Sequence, residues 1–198
     1  MRVVTIAVCL LVLTAGCVGN GKIPVGADET EEVATESELT LQEPKTPSPA
    51  KYNVDVDRIE NLIHEKMNER RKENGLEPLA RNQTLDAAAR YKSWDMAQRD
   101  YFAHIGPNGT KVGVKFIKRH IRCNSIGENL HRAGYGESVA YPGSELPRDS
   151  KIATDAVDAL LNSPGHRANA LSPNYDSQGI GVFVDENGTV FVTQEFCG

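Results

Sequence analysis

The stretch that most constrains this chain is its end, "GIGVFVDENGTVFVTQEF", residues 179–196. Two runs rich in Val, Phe and Thr meet at Asn187-Gly188, and Asn-Gly between β-formers is a strong hairpin signal. The sequence before it is helical in period. "VDVDRIENLIHEKMNERRKENG" places Val56, Ile59, Leu62, Ile63 and Met67 at helical spacing, with Asp55 or Asp57 to cap its start and Gly75 where helices stop. "RNQTLDAAARYKSWDMAQRD" predicts a second helix with Leu85, Ala88, Ala89 and Met96 on one face. "TKVGVKFIKRH" predicts a third, short one, and "KIATDAVDALLN" a fourth over Lys151 to Asn162. "SIGENLHRA" can supply one more strand. Helices followed by a terminal hairpin predict an α+β domain, helices packed on an antiparallel sheet. No internal repeat is visible.

The N-terminus has a different character. Arg2 precedes an apolar run, Val3 to Leu13, far short of the roughly 20 residues a bilayer span needs. Residues 1–16 therefore read as a signal peptide. "LTAGC" closes it in the manner of a lipobox, with Thr14 where Leu is usual, so Cys17 is expected to carry lipid. The alternative is an ordinary secretory signal. Residues 18–50 hold four prolines, no aromatic residue, seven acids and two bases. Such a segment cannot bury enough apolar surface to order itself. Residues 17–53 thus read as a self-repelling acidic spacer that holds the body, residues 54–198, off the membrane. The chain carries a net charge of −5, nearly all of it in the spacer. A near-neutral body argues against nucleic-acid binding, and membrane association is expected only through the lipid. Extracytoplasmic location follows.

Four pieces of the body then fall in order: "YFAHIGPNGT", "IGENL", "NSPGHRANAL" and "GIGVFV…FVTQEF". Together they resemble the CAP superfamily, the SCP-like group of cysteine-rich secretory, antigen 5 and pathogenesis-related-1 proteins, in its microbial form. The resemblance covers about residues 57–198. It implies a three-layer α-β-α sandwich around a small antiparallel sheet, with a large cleft presenting histidines and acids. His104, Glu128 and His166 occupy the matching positions. The second acid found in many eukaryotic members is replaced here by Ser163. His166 is expected on a stiff Ser163-Pro164-Gly165 corner, aimed across the cleft at His104.

Two imidazoles and a carboxylate suit a divalent metal, zinc by default. A metal-bound water would then serve hydrolysis near neutral pH. The same trio without metal is a hydrogen-bonding cleft wall. The missing second acid favours a binding or interaction module for a small ligand or envelope component. A metal-dependent hydrolase acting on peptide or cell-envelope material is the alternative, and lipid or sterol binding, known among relatives, is a third. Ser163 lacks the elbow motif of a nucleophilic serine. His64 reads as part of a solvated helix face, and His120 and His131 as surface or rim residues. Arg167 and Asn169 read as residues that tie down the corner, and "HRAGYGESVAYPGSELP", with Tyr135 and Tyr141, as a long cleft-edge loop. With Cys9 removed and Cys17 lipidated, Cys123 and Cys197 remain as a pair in an exported protein, and they can meet across the sheet as a disulfide. Asn82, Asn108 and Asn187 begin N-x-Ser/Thr sequons.

Overall fold

The computed structural model describes residues 52–134 and 148–198. The expected signal peptide, Cys17, the spacer through residue 51 and the segment 135–147 with Tyr135 and Tyr141 lie outside the described residues. The chain runs α1 (Val56–Glu73), β1 (Ala80–Arg81), α2 (Gln83–Gln98), α3 (Val112–His120), β2 (Ile126–Gly134), α4 (Arg148–Asn162), α5 (Pro164–Ala170), β3 (Ser177–Val184) and β4 (Thr189–Cys197). The strands form a sheet of order β1-β3-β4-β2. It is antiparallel except for the two-residue strand β1, which runs parallel to β3.

Local chemistry sets the helix ends. Asp55 caps α1 by accepting from Arg58 N at 3.0 Å, and Asn82 caps α2 by accepting from Thr84 N and Leu85 N. Such caps satisfy backbone donors that the first turn leaves over. Asn82 is thus engaged in its own helix, which is a structural reason for its place in one of the sequons. Past α1, Gly75 adopts φ 73°, the left-handed region that glycine enters without strain.

The central strands β3 and β4 are buried on both faces, so their side chains alternate between two cores. Ile180, Val182, Val184, Val190, Val192 and Phe196 pack with Ile59, Ile63 and Met67 of α1 and Ile152, Val157 and Leu160 of α4. On the other face Cys197 joins Leu85 and Ala88 of α2 and Phe116 and Ile117 of α3, while Phe191 and Leu130 join Met96. The result is the expected α-β-α sandwich, with α2 and α3 on one face of the sheet and α1, α4 and α5 on the other. Gly179 and Gly181 let α2 lie directly on β3, because a Cβ at either position would overlap α2 backbone. The Cys123–Cys197 disulfide forms, with Cα atoms 5.3 Å apart, and links the approach to β2 with the end of β4.

Three local readings change. The hairpin turn is longer than an Asn-Gly pair: Asp185 N donates to Thr189 O at 3.0 Å, and Asp185 Oδ1 accepts from the amides of Asn187 and Thr189. The acid before Asn187-Gly188 widens the turn by organising it. The "SPGH" corner is a helix start, with Ser163 at the N-cap and Pro164 at the first helical position, where its missing N–H costs nothing. His166 therefore rides on α5 rather than on a loop. His64 is not a solvated residue. It is half-buried, with Gln178 Nε2 2.9 Å from its Nδ1, because Gln178 on the buried face of β3 needs a polar partner from α1.

Candidate functional site

β2 is the last strand of the sheet among the described residues, and its alternation sends neighbouring side chains to opposite layers. Glu128 pairs in register with Glu195, while Asn129 pairs with Gln194. Glu128 and Glu195 face the α2 layer. Asn129 and His131 face the layer of α1, α4 and α5.

His104 reaches Glu128 from the loop between α2 and α3. Its Nδ1 lies 2.6 Å from Glu128 Oε1, with the His104 side chain 49% exposed and Glu128 8% exposed. A carboxylate oxygen can only accept, so Nδ1 carries the proton and Nε2 is the ring atom left to meet a ligand. The loop is held from beneath by Lys92, whose buried Nζ donates to Ala103 O at 2.7 Å, His104 O at 3.3 Å and Tyr101 Oη at 3.1 Å. Burial lowers the Lys92 pKa, and the nearby carboxylates Glu128, Asp95 and Glu195 oppose that shift.

His166 comes from the other layer. Asn129 Nδ2 donates to His166 O at 3.0 Å, and Asn169 Nδ2 donates to Asn129 Oδ1 at 3.1 Å and to Glu128 O at 3.4 Å. These bonds fasten α5 to the edge of β2, the tie-down role expected of Asn169. Arg167 instead reaches Asn74 Oδ1 at 3.4 Å. Burial lowers the His166 pKa, and the charge of His104 lowers it further. His131 is shifted down by burial and also feels His166, with Asp155 opposing. His120 stands apart, stacked on Phe116 with Nδ1 2.9 Å from Phe116 O.

Behind Glu128 lies a residue that the motifs did not flag. Glu195 is fully buried, and neither of its carboxyl oxygens has a well-formed hydrogen bond among the described residues. Burial raises its pKa well above the usual range, with the adjacent Glu128 charge adding to the shift. Burial thus favours the protonated form of Glu195, and Lys92 opposes that shift. Gly113 of α3 makes room for it, since a Cβ there would collide with Glu195 Oε1. The signal for Glu195 was present in the period-two pattern of "TVFVTQEF", which buries residue 195 with 191 and 193.

Among the described residues no group of three or more His, Cys, Asp and Glu side chains is disposed to hold a metal ion. Glu128 is turned to His104. As placed, the trio does not form a three-ligand zinc centre. What the arrangement offers is an exposed imidazole oriented by a carboxylate, with a second imidazole from the opposite layer sharing its field.

The chain belongs to the cysteine-rich secretory protein family, CAP, whose model matches residues 64–196. It is 30% identical over 168 residues to the Bacillus subtilis protein YkwD, an uncharacterised protein, covering 85% of this chain and 57% of that one. It is 28% identical over 142 residues to the B. subtilis membrane protein YlbC, also uncharacterised, covering 72% of this chain and 36% of that one. The chain thus spans about half or less of the length of these curated relatives. Among solved structures, an extracellular SCP-domain protein of Bacillus anthracis superposes with TM-score 0.55 at 26% identity, over 79% of this chain and 45% of that one. An outer surface protein of Borrelia burgdorferi superposes with TM-score 0.58 at 19% identity, over 73% of this chain and 95% of that one, a likeness of fold.

Proposed function

We propose that this chain is an extracytoplasmic binding module, tethered through Cys17, that recognises an envelope component with the His104–Glu128–His166 surface. The observation that carries this reading is the 2.6 Å His104–Glu128 pair at the edge of β2, with α5 fastened beside it. Three elements from two layers are tied together around one exposed ring. Location is supported by the Cys123–Cys197 disulfide, which belongs to oxidising compartments, and by the extracellular SCP-domain relative. No helix among the described residues is long and apolar enough to cross a membrane. Recognition is favoured over hydrolysis because Ser163 stands where many relatives have the second acid, and Glu195, the acid beside Glu128, is fully buried and so is poorly placed to activate water.

The test is sedimentation of wild-type, His104→Ala and His166→Ala protein with purified cell-wall sacculi, combined with an assay for soluble fragments. Binding without fragment release, lost in both variants, is the expected result. Fragments released only by wild type would replace the module reading with a hydrolase, and equal binding by all three would remove the trio from recognition. Zinc titration of the same proteins decides whether the donors also take a metal. A Cys17→Ser variant that still partitions with membranes would end the anchor reading.

A further inference from the structure

The described cavity of about 350 Å³ does not lie at the histidines. It sits on the outer side of α2, between that helix, the start of α3 and the loop joining them, and it is lined by Tyr91, Trp94, Arg99, Asn108, Thr110 and Lys115, among others. That volume is at the small end of the range for small-molecule sites, about 300–1,000 Å³.

Its lining is unusual for this molecule. Trp94 is the only tryptophan of the chain. It belongs to none of the three apolar clusters of the described residues, and its ring meets Tyr91 at a centroid distance of 5.3 Å and an angle of 50°. Two large aromatic side chains, three residues apart on a helix, are thus spent on a cavity wall instead of on a core. Polar groups complete it. Asn108 Oδ1 accepts from Thr110 Oγ1 at 2.7 Å and from Thr110 N at 3.3 Å, so the amide N–H₂ of Asn108 and the lone pairs of Thr110 Oγ1 remain for a ligand. The loop is cross-braced here, with Gly109 at φ 76° and Gly106 N donating to Thr110 O at 2.8 Å. A Cβ at Gly106 would stand 2.9 Å from Arg99 Nη2, so glycine there lets the loop lie close over the Arg99 guanidinium.

The charges do not cancel. Arg99 is neutralised by Asp95, Nη2 to Oδ2 at 2.6 Å, and Tyr101 donates to the same carboxylate. Lys115 donates its backbone N–H to Lys111 O at 2.9 Å, but its ammonium makes no hydrogen bond or ion pair among the described residues, and it leaves the cavity one positive charge in excess. An aromatic wall suits the C–H face of a pyranose, the amide and hydroxyl suit vicinal hydroxyls, and the lone ammonium suits one carboxylate. The 50° opening between the rings fits a puckered ring better than the flat slot that a nucleobase would need.

We propose that this cavity is a second binding site, separate from the His104–Glu128–His166 surface, and that its ligand is a sugar bearing a carboxylate. The single tryptophan makes the test direct. The full chain is titrated with D-glucuronate, with D-glucose and AMP as controls, following Trp94 fluorescence. A saturable change with glucuronate is expected, about tenfold weaker with glucose. Lys115→Ala should weaken glucuronate binding about tenfold and leave the glucose response unchanged, and Lys115→Arg should restore most of the loss. Lys115 is an exposed helix position, so circular dichroism of Lys115→Ala should match wild type. Calorimetry on Trp94→Phe checks that loss of the platform weakens both sugars. Absence of a saturable glucuronate response, an unchanged affinity in Lys115→Ala, or tighter binding of AMP than of glucuronate would each overturn the proposal.

Discussion

The two outer regions of the sheet use the same chemistry to opposite ends. Beyond β1, strand β3 has backbone donors with no strand to meet, and acids from the helices meet them. Glu60 Oε1 accepts from Val182 N at 3.0 Å, and Asp86 Oδ1 accepts from Ile180 N at 2.8 Å. Both acids are then saturated: Arg90 approaches Glu60 to 2.6 Å and Arg81 approaches Asp86 to 2.5 Å. At the other side Glu128 and Glu195 also sit in register on neighbouring strands. Glu195 has no well-formed partner among the described residues, and Glu128 spends an oxygen on an exposed histidine. Fully paired acids build structure, because removing a partner strands a buried charge. Incompletely paired acids beside a surface imidazole leave hydrogen-bonding capacity for something else.

The largest expected effect breaks the paired side. Glu60 is fully buried among Arg90, Arg81 and a strand amide. Glu60→Ala should lower unfolding free energy by about 3–5 kcal/mol in urea titration, since it leaves the buried Val182 amide without its acceptor and takes from the part-buried Arg90 and Arg81 the partner that holds them to the sheet. A loss below about 1 kcal/mol would mean that these arginines are satisfied elsewhere, and the contrast between the two sides would fail. Next in size is the disulfide, whose sequence separation is 74 residues. Its reduction should cost about 2–4 kcal/mol and lower the melting temperature by roughly 4–16 °C.

The unpaired side should tolerate loss of its acid better. Burial raises the pKa of both Glu60 and Glu195, with Arg90 and Arg81 opposing the shift at Glu60, so the two sides differ in pairing rather than in the sign of their pH response. The Glu195 pKa is raised by burial and by Glu128. A carboxyl that holds its proton more tightly when folded contributes stability below its unfolded pKa, and that contribution is lost as pH rises toward the folded value. Wild-type stability should therefore drift down from acidic to alkaline pH through this group, and Glu195→Gln should remove the drift. At pH 8 the amide variant should melt at or above wild type, whereas Glu60→Gln melts below it. A Glu195→Gln protein that loses several kcal/mol would show that Glu195 is an ionised structural acid after all. His64 moves stability in a separate window. Its pKa is lowered by burial first and by Arg81 second, so its contribution is present above about pH 6.5 and is lost below it.

The same contrast decides what could be read from sequence. Apolar periodicity marked α1, α2 and α4 because each turns a continuous apolar stripe to the sheet. The hairpin was legible from Asn187-Gly188, but not its width, because Asp185 is recruited into the turn by its own side chain. β1 went unread: two residues carry no period, and Ala80–Arg81 is a strand only because Ser177 and Gln178 lie beside it. His64 was misread because its helical neighbours are charged while its partner, Gln178, is 114 residues away. His104, Glu128 and His166 were found as motif residues, and the structure joins the first two by a hydrogen bond and the third through Asn129 and Asn169. Glu195 could have been placed inside by the alternation of its own strand, but neither its neighbour Glu128 nor the cover over Glu60 shows in the local sequence. Those partners are distant in sequence.

The smallest expected effect is the sharpest test of the site. His104 and His166 come from opposite layers of the sandwich, and beside the bonds each makes to β2 they are linked electrically: His104 depresses His166, after burial. In proton NMR titration the His166 ring should titrate below the ordinary value near 6.5. His104→Ala should raise it, because one source of positive charge is gone, yet leave it below the ordinary value, because burial remains. Stability should change by less than about 0.5 kcal/mol, as for a half-exposed side chain outside any core. Lys92 bonds the backbone of His104 rather than its ring, so the loop should keep its place in the alanine variant. A shift in His166 without a stability change would mark the two imidazoles as one electrostatic unit across the edge of β2. An unmoved His166 would separate them, and the recognition surface would shrink to His104 and Glu128 alone.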